Sequence, residues 1–172
     1  MNEEKEHLVV KKLEEAFPGV IKKVIRAFGE TGIVLEKEEI KKVCQYLKED
    51  EELRFDHLSD LCGVDYLGKK EKRFEVVYQL YSTKTHKRLR LKVEVEEGES
   101  VPTVTDIWAS ANWLERECWE MFGINFEGHP DMRRLLTIEE FGGFPLRKDF
   151  PLMGKAEIVE GREGGVKWQK RE

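Results

Sequence analysis

An α+β domain, with a mainly antiparallel sheet, helices packed on one side and an extended C-terminal arm, is the fold that three features of this sequence predict. The first is a pair of alternating strands. Phe74, Val76, Tyr78 and Leu80 interleave with polar residues, and Leu89, Leu91, Val93 and Val95 interleave with Arg90, Lys92, Glu94 and Glu96, which is the period-two pattern of half-buried strands. The STKTHK turn joins them as an antiparallel pair, one face in the core and the other wet. The second is a set of helical stripes, apolar residues recurring every three or four positions. The third is the loss of all periodicity after Gly123, where glycine, proline and charge take over. The expected division is a globular body over 1–122 and a partner-wrapping arm over 123–172.

Taken in order, residues 3 to 17 read as a helix, with Val9, Leu13, Ala16 and Phe17 on one face and Pro18-Gly19 ending it. Strands are expected at Lys22 to Phe28 and Ile33 to Leu35, around a turn of Gly29, Glu30, Thr31 and Gly32. A second helix runs from Glu38 to Lys48, carrying Ile40, Val43, Cys44 and Leu47 at helical spacing behind an acidic first turn that suits the helix dipole. Phe55, Leu58 and Leu61 are spaced for a helical turn before a short extended piece at Cys62 to Tyr66. Gly98 to Pro102 is a connector. A third helix follows, because Ile107, Ala111, Leu114, Cys118 and Met121 share a stripe and Gly123 suits a C-terminal cap. Beyond it little regular structure is expected except a helical turn at Thr137 to Phe141, where Thr137 is placed to cap and Glu140 follows three residues later. The tail GKAEIVEGREGGVKWQKRE has almost nothing to bury and is expected to be mobile unless a neighbour holds it.

A chain of 172 residues suits one domain with a real core. Charged residues make up 38% yet the net charge is only −5, a mixed balance that argues against nucleic acid or an anionic membrane as the main partner. Heavy use of Lys and Glu fits a thermophilic source. No apolar run approaches the roughly 18 to 20 residues that cross a bilayer, and MNEEKEHLVV lacks the order of a signal peptide, so the chain is expected to stay soluble and inside. Cys44, Cys62 and Cys118 are widely spaced among apolar neighbours and read as small buried hydrophobes.

Few residues offer chemistry. Three scattered cysteines cannot hold an iron-sulfur cluster, and neither Gly142-Gly143 nor Gly161 to Gly165 sits in the strand-turn-helix context of a dinucleotide fingerprint. Glu127, His129 and Asp131 would suit a metal or acid-base cluster, but a His before Pro130 between carboxylates more often fastens an arm. Glu115 and Glu117 border opposite sides of the third helix's stripe, about 200° apart at roughly 100° per residue, and do not converge. Arg116, Glu120 and Trp113 point away from the stripe and ask for a second wall, either this chain's own tail or another subunit. Arg116, Arg133, Arg134 and Arg147 offer forks for carboxylates, with Glu115, Glu117, Glu120, Asp131 and Asp149 as candidate partners. They are interleaved with Trp113, Trp119, Phe122, Phe126, Phe141, Phe144 and Phe150, and arginines mixed with aromatics make an interface composition.

Two strings carry a resemblance. Glu115-Arg116-Glu117, then Glu120, Met121-Phe122, His129, Arg133 and Leu135-Leu136 resemble the signature of the 30 kDa subunit of respiratory complex I, and Pro145-Leu146-Arg147-Lys148-Asp149-Phe150-Pro151 is similar to that family's second landmark. A weaker likeness extends from Gly32 to Met153 through LSDLCGVDY and VPTVTDIWASANW. The resemblance implies a non-catalytic accessory subunit in the hydrophilic arm of a complex I-like membrane oxidoreductase, peripheral on the cytoplasmic face. It implies no cofactor in this chain, with iron-sulfur clusters and a nickel-iron centre or flavin held by companions. The implied partners are the 49 kDa subunit, related to the hydrogenase large subunit, and a neighbouring iron-sulfur subunit. Trp113, Glu115, Arg116, Glu117, Trp119, Glu120, Phe122, His129, Arg133, Arg134, Arg147, Lys148, Asp149 and Phe150 are the expected partner-binding residues. The branch is either a quinone-reducing dehydrogenase or a ferredoxin-oxidising membrane-bound hydrogenase, and brevity with the Lys/Glu bias leans toward the second. A stand-alone metal-dependent enzyme and a free-standing binding module are the rival readings.

Overall fold

The computed structural model describes residues 3–27, 29–151, 154–159 and 165–170. Helix α1 (Glu3–Ala16) leads into strands β1 (Ile21–Ala27) and β2 (Glu30–Leu35), a 3-10 turn at Lys37–Glu39 and helix α2 (Ile40–Glu49). Strands β3 (His57–Asp65), β4 (Phe74–Ser82) and β5 (Lys87–Val95) follow, then β6 (Ser100–Pro102), helix α3 (Ala111–Phe122), β7 (Asn125–Glu127) and a hairpin of β8 (Gly154–Val159) and β9 (Gly165–Lys170). The main sheet has five strands in the order β1-β2-β5-β4-β3. Neighbours are antiparallel except β2 and β5, which run parallel because α2 and the β3–β5 meander return the chain beside β2.

The alternation of β4 and β5 sets the core. Tyr78 lies opposite Leu91 and Val76 opposite Val93, all on one face and fully buried, while Val77 and Lys92 pair on the other. Ile33 pairs with Leu91 and so extends the same face through β2. On this face α2 buries Ile40, Val43, Cys44 and Leu47, each such aliphatic contributing about 1.5–3 kcal/mol. Helix α1 lies against α2, with Phe17 edge-on to Tyr46 at 5.6 Å and Lys12 bridged to Asp50 at 2.8 Å. Val10 joins Val9 and Leu13 in the core, whereas Ala16, expected on the same face, is exposed.

Several expectations are corrected. Leu58 and Leu61 belong to β3, not to a helical turn. Leu58 pairs with Leu80 and Asp60 with Gln79, so a bulge inserts one residue and brings two leucines three apart onto the same face. The first hairpin turns more tightly than expected, Ala27 pairing with Glu30 and Gly29 taking φ +74°, which puts Glu30 to Gly32 inside β2; Phe28 lies outside the described residues. Ile107 precedes α3, and its N–H and that of Trp108 both donate to Val104 O. The turn expected at Thr137 to Phe141 is a single one, closed by the Phe141 N–H donating to Ile138 O. The arm is more regular than expected. Strand β7 pairs parallel with β6, and β8 pairs with β9. Residues 152–153, 160–164 and 171–172, on which part of the expected tail mobility falls, lie outside the described residues. None of the described helices is long and apolar enough to cross a membrane.

Candidate partner-binding surface

Helix α3 is the platform. Its inner face rests on β3, where Gly63 lacks the Cβ that would stand 2.6 Å from the Phe122 ring. Gly123 ends it as expected, at φ +74° with its N–H donating to Trp119 O at 2.7 Å. Glu115 sits inside, fully buried: the Thr103 hydroxyl donates to one of its oxygens at 2.5 Å and the Val104 N–H to the other at 2.8 Å. Burial pushes its pKa up to about 7 against those two bonds. The residue reads as a tie between α3 and the loop before it.

The outward residues find their second wall in this chain's own arm. Glu120 is fully buried and accepts N–H bonds from Leu135 at 2.6 Å, Leu136 at 3.0 Å and Thr137 at 2.6 Å, with the Thr137 hydroxyl at 2.5 Å. Three successive amides converging on one carboxylate form an anion nest. Burial alone would raise the Glu120 pKa, but the Thr137 hydroxyl and these amides hold it below the ordinary carboxylate value. Arg116 donates through Nε to Arg133 O at 2.9 Å, and its guanidinium lies 5.2 Å from the centre of the Trp113 ring. Arg134 spans Trp119 and Phe141 at 5.6 and 5.8 Å.

His129 fastens the start of the arm. The Asp131 N–H donates to its Nδ1 at 3.0 Å, so Nε2 carries the proton and donates to Asn112 O at 3.1 Å. Asp131 pairs with Arg133 at 2.7 Å, and Glu127 is exposed and apart from both contacts. Among the described residues no three His, Cys, Asp or Glu side chains are grouped as a metal would need. Cys44 and Cys118 are buried as expected, whereas Cys62, on the sheet's other face, is exposed.

A second latch holds residues 144–150. Arg147 donates through Nε to Phe122 O at 2.6 Å, pairs with Glu97 at 2.6 Å and covers the Phe144 ring at 4.4 Å. Leu146 N–H reaches Met121 O at 3.1 Å, and Lys148 N–H reaches Asp65 at 2.8 Å. Arg73 then joins Asp65 at 3.0 Å, Glu97 at 2.8 Å and Asp149 at 2.7 Å. Sequence reading missed Asp65, Arg73 and Glu97. The available signal was Asp65 itself, an acid at a core-facing position of β3 opposite Phe74.

Most of the expected partner-binding side chains are therefore spent within the chain. Glu115, Arg116 and Glu120 are buried, and Arg147, Asp149 and His129 bind the body or the arm. Trp119, Phe122, Arg134 and Phe150 are half-buried beside them. Of the carboxylate pairings expected for the four arginines, only Arg133 with Asp131 forms. What remains outward is Trp113, 62% exposed, with Leu136 at 65%, Ile138 at 60% and Leu146 at 53%. Glu117, Arg133 and Lys148 are exposed around them. Among the described residues the one other large exposed hydrophobic is Leu67. Apolar side chains spread over a helix and its strap, rimmed by charge, suit a macromolecular partner rather than a small substrate.

The profile of the family described as "Respiratory-chain NADH dehydrogenase, 30 Kd subunit" matches residues 33–156. The chain is 50% identical over 151 residues to an NADH-quinone oxidoreductase subunit of Rhizobium meliloti (strain 1021), spanning 87% of this chain and 82% of that one. Among solved structures, Nqo5 as its trypsin-resistant fragment superposes with a TM-score of 0.62 at 35% identity, over 76% of this chain and 99% of that one. A chain of the membrane-bound sulfane sulfur reductase, an archaeal respiratory membrane complex, superposes with a TM-score of 0.72 at 27% identity, over 87% of each.

Proposed function

From the premise that this chain belongs to the respiratory-chain NADH dehydrogenase 30 kDa subunit family, we propose that it is a non-catalytic accessory subunit of a complex I-like membrane-bound oxidoreductase. It docks onto the 49 kDa, hydrogenase-large-like subunit and sits peripherally, reaching the membrane only through the complex. The redox groups, iron-sulfur clusters with flavin or nickel-iron, belong to the companions. The observation that carries the docking reading is the exposed row of Trp113, Leu136, Ile138 and Leu146, all on α3 or on the arm laid across it.

Identity of 50% to an NADH-quinone oxidoreductase subunit supports the dehydrogenase branch over the hydrogenase-like one toward which the chain's brevity leaned. Tagged full-length chain, purified from its own cells, is expected to bring down a large subunit lacking nickel-binding cysteines. Recovery of the chain alone, or turnover by the isolated chain, would overturn the reading.

A further inference from the structure

The face of the sheet turned away from the helices is not a plain wet surface. A cleft of about 770 Å³ lies on it, between β1 and the loop that joins β3 to β4. Ile25, Val34 and Tyr66 are its apolar lining. Val34 and Val77, on this face, are each only 6% exposed.

Five ammonium groups converge here, from Lys22, Lys23, Lys70, Lys72 and Lys92, against three carboxylates, from Glu71, Glu75 and Glu94. Within the lining the amines outnumber the carboxylates by two, the balance being held by Glu36 and Glu99, which pair with Lys22 and Lys72 from outside it. Local structure creates the excess. Ile21 pairs with Leu35 but Lys23 with Val34, so a bulge at Lys22 turns both lysines toward the cleft. Glu75, only 1% exposed, is bound by Lys70 and Lys92, both at 2.7 Å, which pins those two amines. The rim amines are held loosely. Lys72 meets Glu99 at 4.0 Å, and Lys22 meets Glu36, itself 45% exposed, at 2.8 Å; such surface pairs exchange partners at little cost.

We propose that this cleft docks an acidic, extended segment of another subunit in the complex. Alternate residues of an extended chain point to opposite sides, so apolar side chains would settle on Ile25 and Val34 while carboxylates reach Lys22, Lys23 and Lys72. The proposal rests on the subunit reading above, but its surface lies on the opposite face of the sheet from α3, so the two can fail separately.

The test is lysine acetylation mapped by mass spectrometry, on the full chain alone and in its purified membrane complex, with carbodiimide cross-linking of the complex. Lys22, Lys23 and Lys72 are expected to react roughly ten-fold slower in the complex, with cross-links to Asp or Glu of one companion subunit. Those links should vanish in a Lys23→Glu, Lys72→Glu variant whose melting temperature matches the parent. Full reactivity of these lysines within an intact complex would overturn the docking site and leave the subunit assignment standing. Absence of any complex would overturn both. Protection of the isolated chain by phosphatidylglycerol vesicles, without other subunits, would overturn it in favour of a lipid surface.

Discussion

Thr137 gives both its backbone N–H, at 2.6 Å, and its hydroxyl, at 2.5 Å, to a single oxygen of Glu120, and through that contact the arm closes over the helix it came from. Donors of the arm fill the role that a partner's donors were expected to fill, so much of the arm is anchored before any partner arrives. Amides of Leu135 to Thr137 are accordingly expected to exchange slowly in the isolated chain.

Glu120→Ala should cost about 1–3 kcal/mol, since it leaves buried amides without an acceptor. Hydrogen exchange mass spectrometry should show residues 133–141 losing protection while β4 and β5 keep theirs. Equal loss across the sheet would show that the carboxylate supports the whole core instead.

Arg147→Ala should release the 144–150 latch, because the guanidinium holds Phe122 O and Glu97 while only 16% exposed. Limited proteolysis should cut near Lys148 earlier than in the parent. Arg133→Ala, at a side chain 79% exposed, should leave the cleavage pattern unchanged and weaken only assembly. Arg147 and Arg133 thus separate an internal strap from an outward contact.

Glu115 predicts a pH dependence of opposite sign to that of most carboxylates. Its folded-state pKa of about 7 lies above the ordinary 4.5, so the folded chain binds the proton more tightly than the unfolded one. That stabilisation is complete below pH 4.5 and is lost as pH rises through 7, up to about 3 kcal/mol. Denaturation of Glu115→Gln at pH 5 and pH 8 should show the parent losing more stability than the variant over this interval. Parallel profiles would refute the assignment.

Gly63→Ala should destabilise by about 1–3 kcal/mol, because a methyl group there overlaps the Phe122 ring. A compensating Phe122→Leu should recover part of the loss, read as a melting temperature.

Trp113→Ala and Leu136→Asp should leave the stability of the isolated chain within about 1 kcal/mol of the parent, since both side chains face water. Co-purification with the large subunit should fall in both. Intact assembly would move the interface away from α3.

The periodicities of this sequence determined the elements with the strongest local signals. Phe74 to Leu80 and Leu89 to Val95 alternate without interruption, Ile40 to Leu47 keeps one helical stripe, and Gly123 takes the left-handed conformation its place after α3 requires. The strings around Glu115 and Pro145 likewise sufficed for the family, because they fix side-chain identities at set spacings along the chain. Tertiary structure alone decided which of those side chains are still available to a partner. Arg116 and Glu120 lie off the apolar stripe of α3 and are polar, and nothing local says that residues 133–137 fold back to bind them. Leu58 and Leu61 show the same limit, since their three-residue spacing marks a helix until β4 supplies a bulged register. Hydrogen bonds made across 15 to 83 residues, such as Leu135 to Glu120 or Lys148 to Asp65, depend on where the folded chain brings its ends, and no short-range pattern encodes them.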